Sequence, residues 1–209
     1  MTRILIIDSA ATGAQSVSRR LTSELAERLA GASGKVEIVR RDIGSSPVPH
    51  LTEETVFAIR TGESKTEAER GALMLSDALI DEIRAADLVV IGAPMYNFGM
   101  PSTLKAWFDH VLRARVTFRY TESGPEGLMK GKRAVVVESR AGFYSEGPSA
   151  AMDSQEPHLR TLLGFMGIEE VTFVRAEKLA FGPEAAEASL GEASRRLREI
   201  AALELPLAA

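Results

Sequence analysis

Three short stretches of the 209-residue chain carry residue types that could do chemistry. The first is "DSAATGAQSVS", Asp8–Ser18. Small side chains let a backbone approach an anion, and hydroxyls with the free N–H groups of a helix start can bond phosphate oxygens. The plainer alternative is that Ser16 or Ser18 is only a helix N-cap, worth about 1 kcal/mol. The second is "PMYNFG", where Met95, Tyr96, Asn97 and Phe98 follow an apolar run. Aromatic and thioether side chains can line the edge of a flat ring, and turn N–H groups can donate to ring carbonyl and nitrogen atoms. The same residues could instead plug the end of the core. The third is "SRAG", Ser139–Gly142. Ala141 and Gly142 permit close backbone approach and could present N–H groups to developing negative charge on a reduced ring. Taken alone, this stretch also reads as a plain turn.

The elements that must position these stretches follow from periodicity. "RILIID" (Arg3–Asp8), "KVEIVRRD" (Lys35–Asp42), "DLVVIGA" (Asp87–Ala93), "RAVVVES" (Arg133–Ser139) and "EVTFVRA" (Glu170–Ala176) read as strands. Val17, Leu21, Leu25 and Leu29 share one helix face, as do Ala72, Leu75, Leu79 and Ile83 within a helix from about Lys65 to Ala85. Leu104, Trp107, Phe108, Val111 and Leu112 mark a third helix. Further helices are expected around His158–Met166 and from about Glu184 to Leu203. The alternation predicts an α/β fold, a flavodoxin-like three-layer sandwich on a five-stranded parallel sheet of order 2-1-3-4-5, as one domain over residues 1–209. In that order ligands bind beyond the carboxyl ends of the strands, in the loops after strands 1, 3 and 4, which are the three stretches above. Two segments break the alternation. Asp42–Ser64 is a long connection with a short helical piece, and Val116–Lys132 reads as a hairpin excursion around Gly124-Pro125. Long ordered excursions of this kind more often form lids or interfaces than plain connections.

Other chemistries find little support. The first loop is neither GxGxxG nor GxxxxGK[ST], which disfavours a Rossmann-type NAD site and a P-loop. "GLMKGKR" has short spacing, and Arg follows its second Lys where Ser or Thr is needed. No GxSxG is present. His50, His110 and His158 lie far apart without ligand spacing, so no metal is expected. Asp109-His110 suggests a capping or surface role, Trp107 and Phe108 core or subunit interface, and "ASRRLREI" a solvated helix face. There is no Cys, which removes disulfides, thiolate metal sites and cysteine nucleophiles. Any redox chemistry therefore needs a bound cofactor. A net charge of −4 argues against nucleic acid as a main partner. No signal peptide or membrane span is read, and the expected location is the cytoplasm.

"PMYNFGMPSTLKAWFDHVLRARVTFRYTESGPEGLMKGKRAVVVESRAG", continued by "LLGFMGIEEVTFVRAEKLAFGPE" (Leu162–Glu184), resembles the FMN-dependent NADH:quinone oxidoreductases with azoreductase activity, and the likeness spans essentially the whole chain. The resemblance implies a homodimer with one FMN per site. It implies that Ser9, Ser16, Val17 and Ser18 hold the phosphate. Met95, Tyr96, Asn97 and Phe98 would meet the ring on one side, and Ser139, Arg140, Ala141 and Gly142 on another. Phe118 and Tyr120 would border the substrate space near the dimer interface. The implied reaction is ping-pong: NADH or NADPH reduces the flavin and leaves, then a quinone or azo compound takes two electrons, with no side chain as obligate acid or base. Two departures stand out. Ala10 replaces a second serine after strand 1, and Ala141 replaces a glycine. If position 141 needs positive φ, Ala would cost about 1 kcal/mol. The competing readings are a flavodoxin-like FMN electron carrier, which has no need of the two excursions, and a carrier-protein phosphodiesterase, which would want a metal-binding His/Asp cluster.

Overall fold

The structure is a computed structural model and describes residues 1–32 and 36–204. Its strands are β1 (Thr2–Asp8), β2 (Val36–Asp42), β3 (Leu88–Pro94), β4 (Phe118–Thr121), β5 (Gly124–Gly127), β6 (Arg133–Ser139) and β7 (Glu170–Ala176). Its helices are α1 (Val17–Ala32), α2 (Glu53–Thr61), α3 (Glu67–Ala85), α4 (Ser102–Val111), α5 (Glu156–Met166) and α6 (Pro183–Glu204). Five strands form a parallel sheet in the order β2-β1-β3-β6-β7, while β4 and β5 pair separately as an antiparallel hairpin. Counting only the sheet strands, this is the predicted order 2-1-3-4-5. Lys35, expected to open the second strand, lies outside the described residues.

Strand periodicity explains the three layers, since alternate side chains of a central strand point to opposite faces. Leu5, Ile7, Val89, Ile91 and Val136 enter the core beneath α3, α4 and α5. Ile4, Ile6, Leu88, Val90, Val135 and Val137 enter the core beneath α1 and α6. Leu21, Leu25 and Leu29 of α1 are buried, each contributing about 1.5–3 kcal/mol. Two helices start as their sequences dictate. Thr52 with Thr55, and Thr66 with Glu69, form reciprocal capping boxes at the starts of α2 and α3. No helix among the described residues is long and apolar enough to cross a membrane.

Trp107 and Phe108 belong to the core, one of the two places expected for them, with their rings edge to face at 4.9 Å. One side chain departs from expectation. His110 is neither a cap nor on the surface; it is buried, and its Nε2 meets the Pro49 carbonyl at 3.0 Å, pinning the 42–52 connection to α4. Burial pushes the His110 imidazole below its usual pKa.

The hairpin is rooted at the C-terminal end of α5. Met129 donates to the Met166 carbonyl at 2.8 Å, and the Gly127 and Gly167 backbones touch so closely that a Cβ on Gly127 would lie 2.1 Å from the Gly167 nitrogen. Gly127→Ala should therefore lower stability by about 1–3 kcal/mol. Urea denaturation of the variant against wild type checks this.

Candidate functional site

The parallel register brings three loops to one rim. Asp8 pairs with Gly92 and Pro94 with Ser139, so β1, β3 and β6 end side by side. The first loop leaves β1 through Ser9, which is fully buried. Its hydroxyl donates to the Gly92 carbonyl at 2.6 Å, and its own carbonyl accepts from Thr103 Oγ1 at 3.0 Å. A short 3-10 turn, Gly13–Gln15, then leads into α1. Ser16 Oγ accepts from the Arg19 amide at 3.2 Å and lies 3.0 Å from Ser18 Oγ. Ser16 is thus an N-cap, and it leaves the Val17 and Ser18 amides without an acceptor among the described residues, at the positive end of a 16-residue helix.

The second loop is a tight turn. Tyr96 and Gly99 exchange two backbone hydrogen bonds, at 2.9 and 3.1 Å, and the two residues between them have positive φ: Asn97 at 48° and Phe98 at 70°. Such turns favour Asn-Gly. Asn tolerates the left-handed region, while a bulky aromatic there is an outlier, and each such residue costs on the order of 1–3 kcal/mol. Neighbours hold the conformation in place. The Ala11 amide donates to Tyr96 Oη at 3.1 Å, the Ser154 amide donates to the Phe98 carbonyl at 3.0 Å, and the Phe98 ring meets Tyr144 edge-on at 5.9 Å. The geometry leaves the Asn97 and Phe98 amides without an acceptor among the described residues. Pro101 stands at the N-cap of α4.

In the third loop the carbonyls are tied down. Those of Arg140, Ala141 and Gly142 accept from the amides of Leu179, Ala180 and Lys178 at 3.3, 3.0 and 2.8 Å. The Ala141 and Gly142 amides have no acceptor among the described residues. Ala141 is not among the residues with positive φ, so the alanine there carries no left-handed penalty. A Cβ on Gly142 would lie 2.7 Å from the tip of the Tyr144 ring, which would have to shift to admit it.

Arg140 corrects an expectation. It does not face a ligand: it is 1% exposed, its amide donates to the Ala176 carbonyl, and its guanidinium is directed inward. There it meets Glu138 at 2.7 Å, Asp153 at 3.0 Å and Glu177 at 3.2 Å. Burial pushes the Glu138 carboxyl up to about 8 against the pull of Arg140, and Glu138 Oε1 has no hydrogen-bond partner. Sequence reasoning also missed the brace under the first loop. Asp8 is buried, accepting from Thr22 Oγ1 at 2.8 Å and from Arg40 at 2.5 Å, while Arg19 grips Asp42 through both terminal nitrogens. That Arg19 hydrogen bond holds the Asp42 carboxyl well below the usual carboxylate range.

The site thus brings together Ser16, Val17, Ser18, Met95, Tyr96, Asn97, Phe98, Ser139, Ala141 and Gly142. It does not bring in Phe118 or Tyr120. Phe118 is 8% exposed and packs on Phe165 at 4.5 Å, and Tyr120, 73% exposed, meets Phe118 edge-on. These rings sit by the C-terminal end of α5. The N-terminal end of α5 is at the rim, about 16 Å away for 11 residues at about 1.5 Å each.

A parallel sheet of this order, with its ligand-competent loops at the β1/β3 switch point, defines a flavodoxin-like protein. The flavodoxin-like fold family matches residues 2–201, and the chain belongs to that family. Among its relatives, the FMN-dependent NADH:quinone oxidoreductase of Hyphomonas neptunium is 51% identical over 96% of each chain. The protein of the same name from Azotobacter vinelandii is 48% identical, over 96% of this chain and all of its own. Among solved structures, the FMN-dependent NADH-azoreductase of Bacillus anthracis in complex with FMN superposes with a TM-score of 0.87 at 27% identity, over 97% of this chain and 99% of that one.

The buried acid sets a pH dependence. Glu138 is protonated in the folded chain up to about pH 8 but ionises near 4.5 when unfolded. Its contribution to stability is therefore complete below about pH 4.5 and is lost as pH rises through about 8. Unfolding free energies measured across this window should fall for wild type relative to Glu138→Gln, which lacks the titration. Parallel curves would contradict this.

Proposed function

We propose that this chain is an FMN-dependent NADH:quinone oxidoreductase that also cleaves aromatic azo compounds reductively, acting as a homodimer in the cytoplasm. One observation carries the reading: three adjacent loops leave amides without acceptors among the described residues, including those of Val17-Ser18, Asn97-Phe98 and Ala141-Gly142. This donor set fits FMN, which has a phosphate at one end and a ring edge of carbonyl and nitrogen acceptors at the other. When bound, FMN supplies the two-electron chemistry, accepting a hydride from NADH and reducing quinone or azo acceptors in a separate ping-pong half-reaction.

The chain's own groups bind and orient. Val17 and Ser18 donate to phosphate oxygens, supported by the α1 dipole and the Ser16 hydroxyl. Ser9 shapes this loop from beneath through its bond to Gly92. Met95 and the exposed Tyr96–Phe98 turn form one wall. The Asn97 and Phe98 amides would hold the ring's acceptor edge, and the Ala141 and Gly142 amides would favour negative charge on the ring. Ser139 ends β6 beneath them. Tyr120 and Phe118 stand by the C-terminal end of α5, so for Tyr120 to border a substrate space, a second copy must present it. Its 73% exposure supports that role. A carrier that only relays electrons is the runner-up, and turnover separates the two.

The test is spectroscopic. Purified protein with FMN should show the perturbed visible band of a bound flavin, which bleaches on anaerobic addition of NADH and returns with a quinone. It should sediment at twice the chain mass. Absence of flavin binding contradicts the reading, and binding without bleaching favours the carrier.

A further inference from the structure

Two of the three loops are referenced to a single buried guanidinium. Arg140 Nη2 donates to Glu138 at the end of β6 and forms an ion pair with Asp153 ahead of α5 at 3.0 Å, Nη1 donates to Glu177 just past β7, and Nε donates to Gln155 at 3.2 Å. Three of these partners hold something further. Glu177 Oε1 accepts from the Tyr144 and Ser145 amides at 2.9 and 3.1 Å, and its Oε2 accepts from the Ser145 hydroxyl at 2.5 Å. Gln155 Nε2 donates to the Ala93 carbonyl at 2.9 Å, one residue before the strand end that launches the Tyr96–Gly99 turn. Asp153 Oδ1 accepts from the Gln155 and Glu156 amides and so caps α5. Tyr144 in turn meets Phe98.

We propose that Arg140 is the positioning residue of the ring site: its buried guanidinium fixes the Ala141–Gly142 amides relative to the Asn97–Phe98 turn, so that the site is formed before a ligand arrives. The charge arrangement fits this role. Three carboxyl groups face Arg140, and Arg175 stands 3.8 Å from Glu138 while pairing with Glu156. Four acids thus share two arginines. A planar guanidinium can serve four acceptors at fixed angles, and a lysine ammonium cannot. The inference rests on the flavin reading for its consequence but not for its geometry.

The experiment therefore begins without flavin. In flavin-free Arg140→Lys, hydrogen exchange at the Tyr144 and Ser145 amides should accelerate tenfold or more, with β1 and β3 amides unchanged. FMN and riboflavin, which share the ring but not the phosphate, should lose affinity by the same factor, about tenfold. The bound-flavin midpoint potential should fall by about 30 mV for each tenfold by which the reduced form loses more affinity than the oxidised. Glu177→Gln, which keeps one acceptor oxygen, should give a smaller acceleration at the same two amides. It serves as the probe if Arg140→Lys does not fold. Unchanged exchange at Tyr144 and Ser145, or acceleration spread evenly over the chain, overturns the proposal. If wild type binds no flavin, the functional reading fails, while the exchange result still decides the positioning claim.

Discussion

The site depends on the parallel register of β1, β3 and β6. Because Asp8 pairs with Gly92 and Pro94 with Ser139, three loops begin at one rim and must diverge within a few residues. The cores on both faces lock that register, since a one-residue slip would turn Leu5, Ile7, Val89 and Ile91 from one apolar layer to the other. The donor groups at the rim are thus set by burial well below it.

At that rim the chain accepts strain and buried charge that a stability-only design would avoid. Phe98 at a φ of 70° and Asn97 at 48° are costly, and the Glu138–Arg140 cluster places several charges in the interior. Both features act on the backbone. The first turns amides outward from a tight turn, and the second fixes the loop whose carbonyls are drawn to residues 178–180. Each leaves donors unpaired where a ligand can take them, which is how preorganised sites gain affinity.

Much of this was legible in the sequence, for physical reasons. Buried parallel strands announce themselves as β-branched runs, and the topology then assigns the loops after strands 1, 3 and 4 to the ligand. What stayed hidden was side-chain direction. An arginine between Ser139 and Ala141 reads alike whether it points out or in, and its partners lie 2, 15 and 37 residues away along the chain. His110 was misread for the same reason, because its partner Pro49 is 61 residues away. Backbone angles were equally invisible: composition places neither the positive φ at Phe98 nor the ordinary φ at Ala141.

The central claim is that three loops offer their free amides to one ligand. An amide-resolved NMR titration of the 15N-labelled chain with FMN tests it most directly. The account predicts that Val17, Ser18, Asn97, Phe98, Ala141 and Gly142 shift together, along a single binding curve. Shifts confined to one loop, or centred on residues away from the rim, would contradict it.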